Sequence, residues 1–140
     1  MTATAAMITR VRAMVAEPLD TTYDDAAITV FIETYPLLDE NGTNPTYLDY
    51  TTEPPTPTED DNWIDTYDLN AAAADIWEEK AAAVANYTDF SDAGASYNCS
   101  QVVAQYMKQA RHYRSRRSMS TARLHQWPRE YERVIPYDLP

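Results

Sequence analysis

The side chains of this 140-residue chain that could do general acid–base chemistry are two adjacent glutamates and two histidines. Glu78 and Glu79 lie next to each other in an alanine-rich run, so on a helix their carboxylates would point apart instead of converging on one substrate. His112 and His125 have no neighbouring motif that would pair either of them with a nucleophile, and solvated or interface histidines are the simpler interpretation. The chain contains no HExxH motif, glycine-rich phosphate loop or serine-centred elbow, and we therefore expect it not to be an enzyme.

Metal-binding chemistry is represented by one acidic cluster and one thiol. Asp60, Asp61 and Asp65 offer hard oxygen ligands, but their spacing does not match a calcium-binding loop, and a solvated acidic surface is the alternative. Cys99 is the only cysteine, which excludes an intramolecular disulfide and a site built from several thiolates. A small apolar core group is the simplest role for its side chain. The sequence therefore predicts neither a metal ion nor a cofactor.

Acidic and basic residues are distributed unequally along the chain. Residues 1–99 carry 3 Lys/Arg and 19 Asp/Glu, a net charge of −16, whereas residues 100–140 carry 8 and 3, a net charge of +5. Such an asymmetry indicates two surfaces with different partners. The acidic part would be repelled by nucleic acid, and the basic part could be attracted to nucleic acid or to an acidic protein. No apolar run approaches the length of a membrane span, so no membrane partner is expected.

Apolar residues at helical spacing predict four helices, of which the first two are short. The first is predicted over residues 4–17, and the second runs from a capping box at residues 22–25 to about residue 35. Each is stopped by a proline. Thr22 and Asp25 have the spacing of a capping box at the start of the second helix. The apolar faces contain Ile8, Val11, Val15 and Leu19 in the first helix and Ile28, Phe31, Ile32 and Tyr35 in the second.

The third and fourth helices are longer and are predicted to form the centre of the fold. The third is predicted over residues 70–86, with Asp68 or Asn70 as its N-cap. The fourth begins with a capping arrangement of Asn98 and Gln101. Together the patterns predict a mainly α fold, a small bundle of about four helices. The apolar faces contain Leu69, Ala73, Ile76, Ala83 and Tyr87 in the third helix and Cys99, Val103, Tyr106, Ala110 and Tyr113 in the fourth.

Residues 39–67 interrupt this helical pattern as an irregular or hairpin-like acidic insertion. Residues 46–51 and 63–65 are rich in β-prone side chains, so these two stretches could pair as a loose hairpin. A segment of this length is either a mobile surface loop or a functional element, and its aromatic residues favour contact with a neighbour. The candidate contact residues are Tyr47, Tyr50, Glu59, Asp60, Asp61 and Trp63.

A basic helix end leads from the helical domain, residues 1–117, into an extended C-terminal arm, residues 118–140. The arm has too many apolar groups for a disordered tail. It either folds back on its own domain or lies in a groove of another subunit, and aromatic residues separated by prolines favour the second alternative. The candidate contacts with another subunit or a partner protein in this region are Arg111, Arg114, Arg116, Arg117, Leu124, Trp127, Tyr131, Ile135 and Tyr137.

Several of these stretches together resemble the head–tail adaptor, or connector, proteins of tailed bacteriophages. The resemblance covers most of residues 7–120. It is a pattern of an alanine-rich helix, a "DFS…G" loop, a Ser-Gln helix start and a basic helix end. The stretches that carry it are ITRVR at residues 8–12, YDD at 23–25, LNAAAADIWEEKAA at 69–82, TDFSDAG at 88–94 and SQV at 100–102.

The resemblance implies a structural virion protein that assembles as a ring, usually of twelve copies, beneath the portal protein. Such a ring extends the DNA channel toward the tail or a neck completion protein, and DNA passes through it without specific binding. The basic segment 111–117 and the arm from Ser118 would face the portal, and residues 39–67 would face the channel or the next tail component. The protein would be made in the host cytoplasm and act at the neck of the virion.

A nucleic-acid-binding module is the alternative function. It would use the basic segment 111–123, whose arginines could form a basic, aromatic-lined patch together with His112, Tyr113 and Trp127. The competing interpretation is a helix C-terminus that is stabilised by cations and contacts an acidic protein.

Overall fold

A computed structural model describes residues 2–19, 22–87, 90–92 and 95–119 of the chain. It is a small, mainly helical fold, as predicted. The four helices are α1 (Ala5–Met14), α2 (Asp25–Glu33), α3 (Leu69–Ala85) and α4 (Cys99–Arg114), and the strands are β1 (Thr46–Asp49), β2 (Thr56–Glu59), β3 (Phe90–Asp92) and β4 (Ala95–Tyr97).

Helix α1 is shorter than its apolar pattern predicts. Thr4 caps its first turn through a hydrogen bond from the N–H of Met7, but the helix ends at Met14 because Ala16 adopts a left-handed φ of 56°. A non-glycine residue in that region is uncommon and marks a helix stop. Leu19, which was expected on the apolar face, is consequently beyond the helix and exposed.

Helix α2 begins two residues after the position that the capping-box pattern indicates. The Asp24 carboxylate accepts the N–H of Ala27 at 2.7 Å, so Asp24 is the N-cap and the predicted box of Thr22 and Asp25 is wrong. Ile28 and Ile32 on its inner face are fully buried, as the spacing predicts. They meet Val11 and Val15 of the α1 region in one hydrophobic core.

Helix α3 is the central element of the described fold. Among the helices and strands described, it is the only one whose backbone approaches all three other helices. Its N-cap is Asp68, one of the two predicted candidates, whose carboxylate accepts the N–H groups of Asn70 and Ala71. Ala73 and Ile76 of the predicted face are buried, whereas Ala83 and Tyr87 at its C-terminal end are exposed. The buried residues of α3 are Ala71–Ala74, Ile76, Trp77 and Ala81.

Helix α4 packs along α3 after a short β3–β4 hairpin with Phe90 paired to Tyr97. Asn98 is the N-cap residue, yet its side chain makes no capping hydrogen bond, so the predicted capping arrangement with Gln101 is wrong. Cys99 and Ala110 are the buried residues of the helix, and the Cys99 side chain is only 2% exposed. The predicted apolar role of Cys99 is therefore confirmed.

Residues 46–59 form a two-stranded hairpin, but the second strand is not the predicted one. β1 pairs with β2, from Thr46 opposite Glu59 to Asp49 opposite Thr56, whereas residues 63–65 were expected to be its partner. Trp63 is instead part of the hydrophobic core. Trp63 cannot lie both in a surface strand and in the core. The free energy gained by burying its large apolar ring outweighs its preference for a strand.

Candidate assembly interfaces

The segment that carries the acidic hairpin leaves and rejoins the helical body through a narrow, hydrogen-bonded base. Pro36 and Tyr67 form an antiparallel bridge, and the N–H of Leu37 donates to the carbonyl of Thr66 at 2.8 Å. The N–H of Asp68 donates to the carbonyl of Tyr35 at 2.9 Å. The two ends of the segment therefore lie side by side, directly before the first turn of α3.

Asp39 joins the two sides of this base, because its carboxylate accepts hydrogen bonds from both. One carboxylate oxygen accepts the N–H groups of Asn41 and Thr43 at 2.9 and 2.7 Å, and the other accepts the N–H of Ile64 at 3.2 Å. Desolvation alone would raise the pKa of Asp39, but the N–H donors of Thr43, Ile64 and Asn41 outweigh it and lower the pKa. The buried, ionised carboxylate therefore holds both sides of the segment together.

Trp63 lies in the core and not on the contact surface where it was predicted. Its ring is 8% exposed, its Nε1–H donates to the carbonyl of Leu37 at 2.8 Å, and its centroid is 5.4 Å from that of Tyr67 in an edge-to-face arrangement. Such a residue is anchored by its own chain. The prediction of Trp63 as a partner contact is therefore corrected to a core role.

The other predicted residues of the segment lie on or near its surface. Tyr47 and Tyr50 are 50% and 76% exposed on β1 and just after it. Glu59 and Asp61 are exposed as well, whereas Asp60 is half-buried and accepts both the main-chain and side-chain N–H groups of Asn62. The structure thus brings two tyrosines and a set of carboxylates together on one hairpin.

No lysine or arginine occurs between Arg12 and Lys80, so the hairpin has no cation of its own. The carboxylate of Asp49 is stabilised instead by the hydroxyl and N–H of Thr51, at 2.7 and 2.8 Å. Both hydrogen bonds lower the pKa of Asp49, and the one from the Thr51 hydroxyl has the larger effect. The hairpin therefore presents negative charge at neutral pH, which repels polyanions and attracts cationic surfaces.

Arg114 differs from the other three predicted arginines because it is engaged within the chain. Its Nε and Nη2 donate to the two carboxylate oxygens of Glu78 at 2.7 and 2.6 Å, and Nη2 also contacts Asp75 at 2.9 Å. The Tyr35 hydroxyl donates to the second oxygen of Asp75. This bidentate geometry is typical of strong ion pairs. It joins α4 to α3 and to Tyr35, the second residue after α2.

The protonation equilibria agree with this geometry. The hydrogen bonds from Arg114 lower the pKa of Glu78, and the bond to Asp75 raises the pKa of Tyr35. Glu78 is therefore a structural anion and not a general acid near neutral pH. Within the described residues, no group of three or more His, Cys, Asp or Glu side chains could hold a metal ion.

Arg111, Arg116 and Arg117 are exposed at the C-terminal end of α4. Arg10 of α1 and Arg116 both line a groove of about 330 Å³, so an exposed cation of the first helix lies near the end of α4. The sequence analysis missed Arg10, because it is far from the arginine-rich segment along the chain. We name Arg10, Arg111, Arg116 and Arg117 the arginine surface.

The point where the chain leaves α4 is fixed by the cap of α3. Asp68, which is 4% exposed, accepts the N–H of Ser118 at 2.6 Å, and the Asn70 side chain donates to the carbonyl of Arg116 at 3.3 Å. A groove of about 640 Å³ adjoins this point and is lined by residues 34–37 and 117–119. Met119 is 90% exposed. The predicted contacts Leu124, Trp127, Tyr131, Ile135 and Tyr137, like the rest of the predicted arm, lie outside the described residues.

Across the described ranges, no helix has the length and apolarity needed to cross a membrane. No protein-family model, curated protein or solved structure matches the chain.

Proposed function

We propose that this chain is a structural subunit of a bacteriophage head–tail adaptor ring, which joins the portal to the tail and extends the DNA channel. The proposal rests on the resemblance of residues 69–82, 88–94 and 100–102 to that family. It is supported by the chemistry of the central helix pair, where Glu78 and Asp75 serve an ion pair with Arg114. In this proposal the protein has no catalytic role.

The single observation that carries the proposal is the separation of charge between two exposed surfaces. The hairpin has only acidic charges, and the arginine surface has exposed cations. A channel through which DNA slides must not bind phosphates, and a negative lining meets this requirement by repulsion. The arginine surface would contact an acidic surface of the portal.

The finer architecture is part of the same proposal. Residues 1–117 would be a helical bundle, residues 39–67 an insertion that faces the channel or the next tail component, and residues 118–140 an arm that docks on the portal. Copies would assemble head to tail, because a cyclic ring uses two different surfaces of each subunit. Twelve copies are expected from the resemblance, and the site of action would be the neck of the virion.

Native mass spectrometry of the protein mixed with the portal of the same virus tests the proposal. We expect a complex that contains a ring of each protein. Arg116→Glu should weaken it, whereas Lys108→Glu, the same charge reversal at an exposed position in the middle of α4, should not. A protein that stays monomeric both alone and with the portal would contradict the proposal.

The nucleic-acid-binding alternative is favoured by one observation, the exposure of Arg111, Arg116 and Arg117. Arg114, however, is held by two carboxylates, so the basic segment presents fewer free cations than its sequence indicates. A salt titration of DNA binding by the isolated protein separates the two functions. Tight binding that weakens steeply with salt would favour the alternative, whereas an adaptor should bind DNA weakly at every salt concentration.

A further inference from the structure

The hydrogen-bond pattern of the acidic hairpin can be assigned residue by residue. Leu48 lies opposite Pro57, and because proline has no N–H, these two residues form a non-hydrogen-bonded pair of the antiparallel ladder. The N–H of Asp60 donates to the carbonyl of Pro45 at 3.1 Å, three residues earlier along β1, which fits the same alternation. Tyr47 therefore exchanges hydrogen bonds with β2, and the main-chain groups of Leu48 point away from it.

The two outer edges of the hairpin are consequently different. On the β1 edge, Thr46 and Leu48 each present an N–H and a carbonyl, and no hydrogen bond joins these groups to another described residue. On the β2 edge, Pro57 presents a carbonyl without a donor. Proline on an edge strand blocks pairing with a further strand. The hairpin is thus closed on the β2 side and open on the β1 side.

The open edge is also sterically accessible. Among the described elements, β1 and β2 contact only each other. Leu48 is 41% exposed, and Tyr47, on the opposite face of the strand, is 50% exposed. Two strands without further partners are marginally stable in water, so a third strand would contribute hydrogen bonds and cover apolar surface.

We propose that the outer edge of β1 is a binding site for an extended, basic segment of a different protein, which adds to the hairpin as a third strand. The edge requires an extended backbone, since its donors and acceptors at Thr46 and Leu48 have strand spacing. The charge of the hairpin selects the side chains: the segment that carries the edge is acidic, and no lysine or arginine occurs between Arg12 and Lys80. Alternating apolar and basic residues would cover Leu48 on one face and meet Asp49 on the other.

Amide hydrogen exchange of the full-length, ¹⁵N-labelled protein tests the site directly. The probe is a peptide of about eight residues with alternating Lys and Val and blocked ends, and a peptide with alternating Glu and Val is the charge control. We expect the amides of Thr46 and Leu48 to exchange fast in the free protein and to become protected when the Lys–Val peptide binds. The amides of Tyr47 and Asp49 should be protected in both states, because they already bond to β2.

A pair of variants separates the main-chain donor from the side chain. Leu48→Pro removes the outward N–H and leaves the ladder to β2 intact, whereas Leu48→Thr removes the same side chain and keeps the N–H. We expect the Lys–Val peptide to bind about tenfold more weakly to Leu48→Pro than to Leu48→Thr.

Three results would overturn the inference. The first is an absence of protection at Thr46 and Leu48 when the Lys–Val peptide is added to the wild-type protein. The second is equal binding of the Glu–Val and Lys–Val peptides. The third is dimerisation through β1 without peptide, which sedimentation velocity would detect and Leu48→Pro would abolish. The last result would assign the edge to a second copy of this chain. None of these measurements involves a portal, so their outcome is independent of the adaptor proposal.

Discussion

Asp68 accepts a hydrogen bond from the main-chain N–H of Ser118, at 2.6 Å, while its other carboxylate oxygen caps α3. The start of the central helix and the exit of the chain from α4 are therefore held by one side chain. Because this carboxylate is buried, loss of either set of bonds leaves N–H groups without an acceptor.

Asp68→Ala should therefore lower the free energy of unfolding by about 2 kcal/mol, the sum of a lost N-cap and a lost charged hydrogen bond. Asp68→Asn keeps one carbonyl oxygen as an acceptor and should lower it by less. Urea denaturation measures both changes, and the exchange rate of the Ser118 amide should rise in each variant. An unchanged Ser118 rate in Asp68→Ala would show that this hydrogen bond does not protect the chain exit.

Trp63→Ala should be among the most destabilising substitutions in the segment that carries the hairpin. Removal of a core tryptophan costs about 3 to 5 kcal/mol, and the Leu37 carbonyl would also lose its donor. Tyr50→Ala is the control, since this exposed aromatic should change the stability by no more than about 0.5 kcal/mol. If chemical denaturation gave equal effects for both, Trp63 would be a surface residue in solution.

Lys80 should stabilise the contact between α1 and α3. Its Nζ forms a 2.7 Å ion pair with Glu17 and donates to the carbonyl of Val15 at 2.7 Å. The side chains of Lys80 and Glu17 are largely buried, at 13% and 16% exposed. Lys80→Met would leave the Glu17 carboxylate without its cation and should cost about 2 to 3 kcal/mol.

A double-mutant cycle with Glu17→Gln isolates the ion pair from the other contacts of Lys80. The double variant should be less destabilised than the sum of the two single variants. Lys108→Met, at an exposed position of α4, is the matched control and should have almost no effect. Additive effects of Lys80→Met and Glu17→Gln would exclude a stabilising coupling between the two charges.

Tyr67→Phe should stabilise the protein. The Tyr67 hydroxyl is buried and has no hydrogen-bond partner among the described residues, so it loses its hydration without compensation. Its removal should raise the free energy of unfolding by about 1 kcal/mol, provided that the edge-to-face contact with Trp63 is kept. A thermal melt at neutral pH measures the change, and a lower melting temperature would mean that the hydroxyl has a partner in solution.

Alkaline pH should destabilise the fold partly through Tyr23. Burial, the charges of Glu79 and Glu17 and a hydrogen bond to Glu79 raise the pKa of Tyr23 from 10.0 to about 12. In the unfolded chain the phenol loses its proton near pH 10, whereas in the folded protein it keeps it. The stabilisation that Tyr23 provides is thus complete below pH 10 and is lost as the pH rises to about 12.

Tyr23→Phe should flatten this dependence, and urea denaturation between pH 9 and about 12 compares the two slopes. The slopes are compared and not the absolute stabilities, because the substitution also removes the phenol hydroxyl and its interactions. Equal slopes would show that Tyr23 ionises alike in the folded and unfolded chain.

The sequence predicted those features that depend on local periodicity. Ile28, Ile32 and Val11 are buried where their spacing places them, and Asp68 caps α3. It did not predict that α1 ends early at the positive φ of Ala16, because alanine is not a residue type that indicates a left-handed backbone conformation. Nor did it predict that the C-terminal end of α3 is exposed, as at Ala83.

The candidate interfaces depend on contacts between distant parts of the chain, and there the prediction was weaker. The residue type of Trp63 fits both a strand and a core. Its location in the core depends on burial of the ring and on a hydrogen bond to the carbonyl of Leu37, 26 residues away in the sequence. Arg114 was predicted as a portal or subunit contact. Its ion pair with Glu78 was not predicted, because it depends on how α3 and α4 pack. The second strand of the hairpin was predicted at residues 63–65, whereas β2 contains Pro57, which is accommodated at an edge position.

Cys99 is buried at the first residue of α4, so its thiol is a natural probe of local opening at this end of the helix. Since it is the only cysteine and is 2% exposed, a thiol reagent reaches it only when the start of α4 separates from its surroundings. The rate of modification therefore reports how often that end of the helix pair opens, without any engineered label. A partner that binds over this end would slow the reaction, and one that binds at the arginine surface would leave it unchanged.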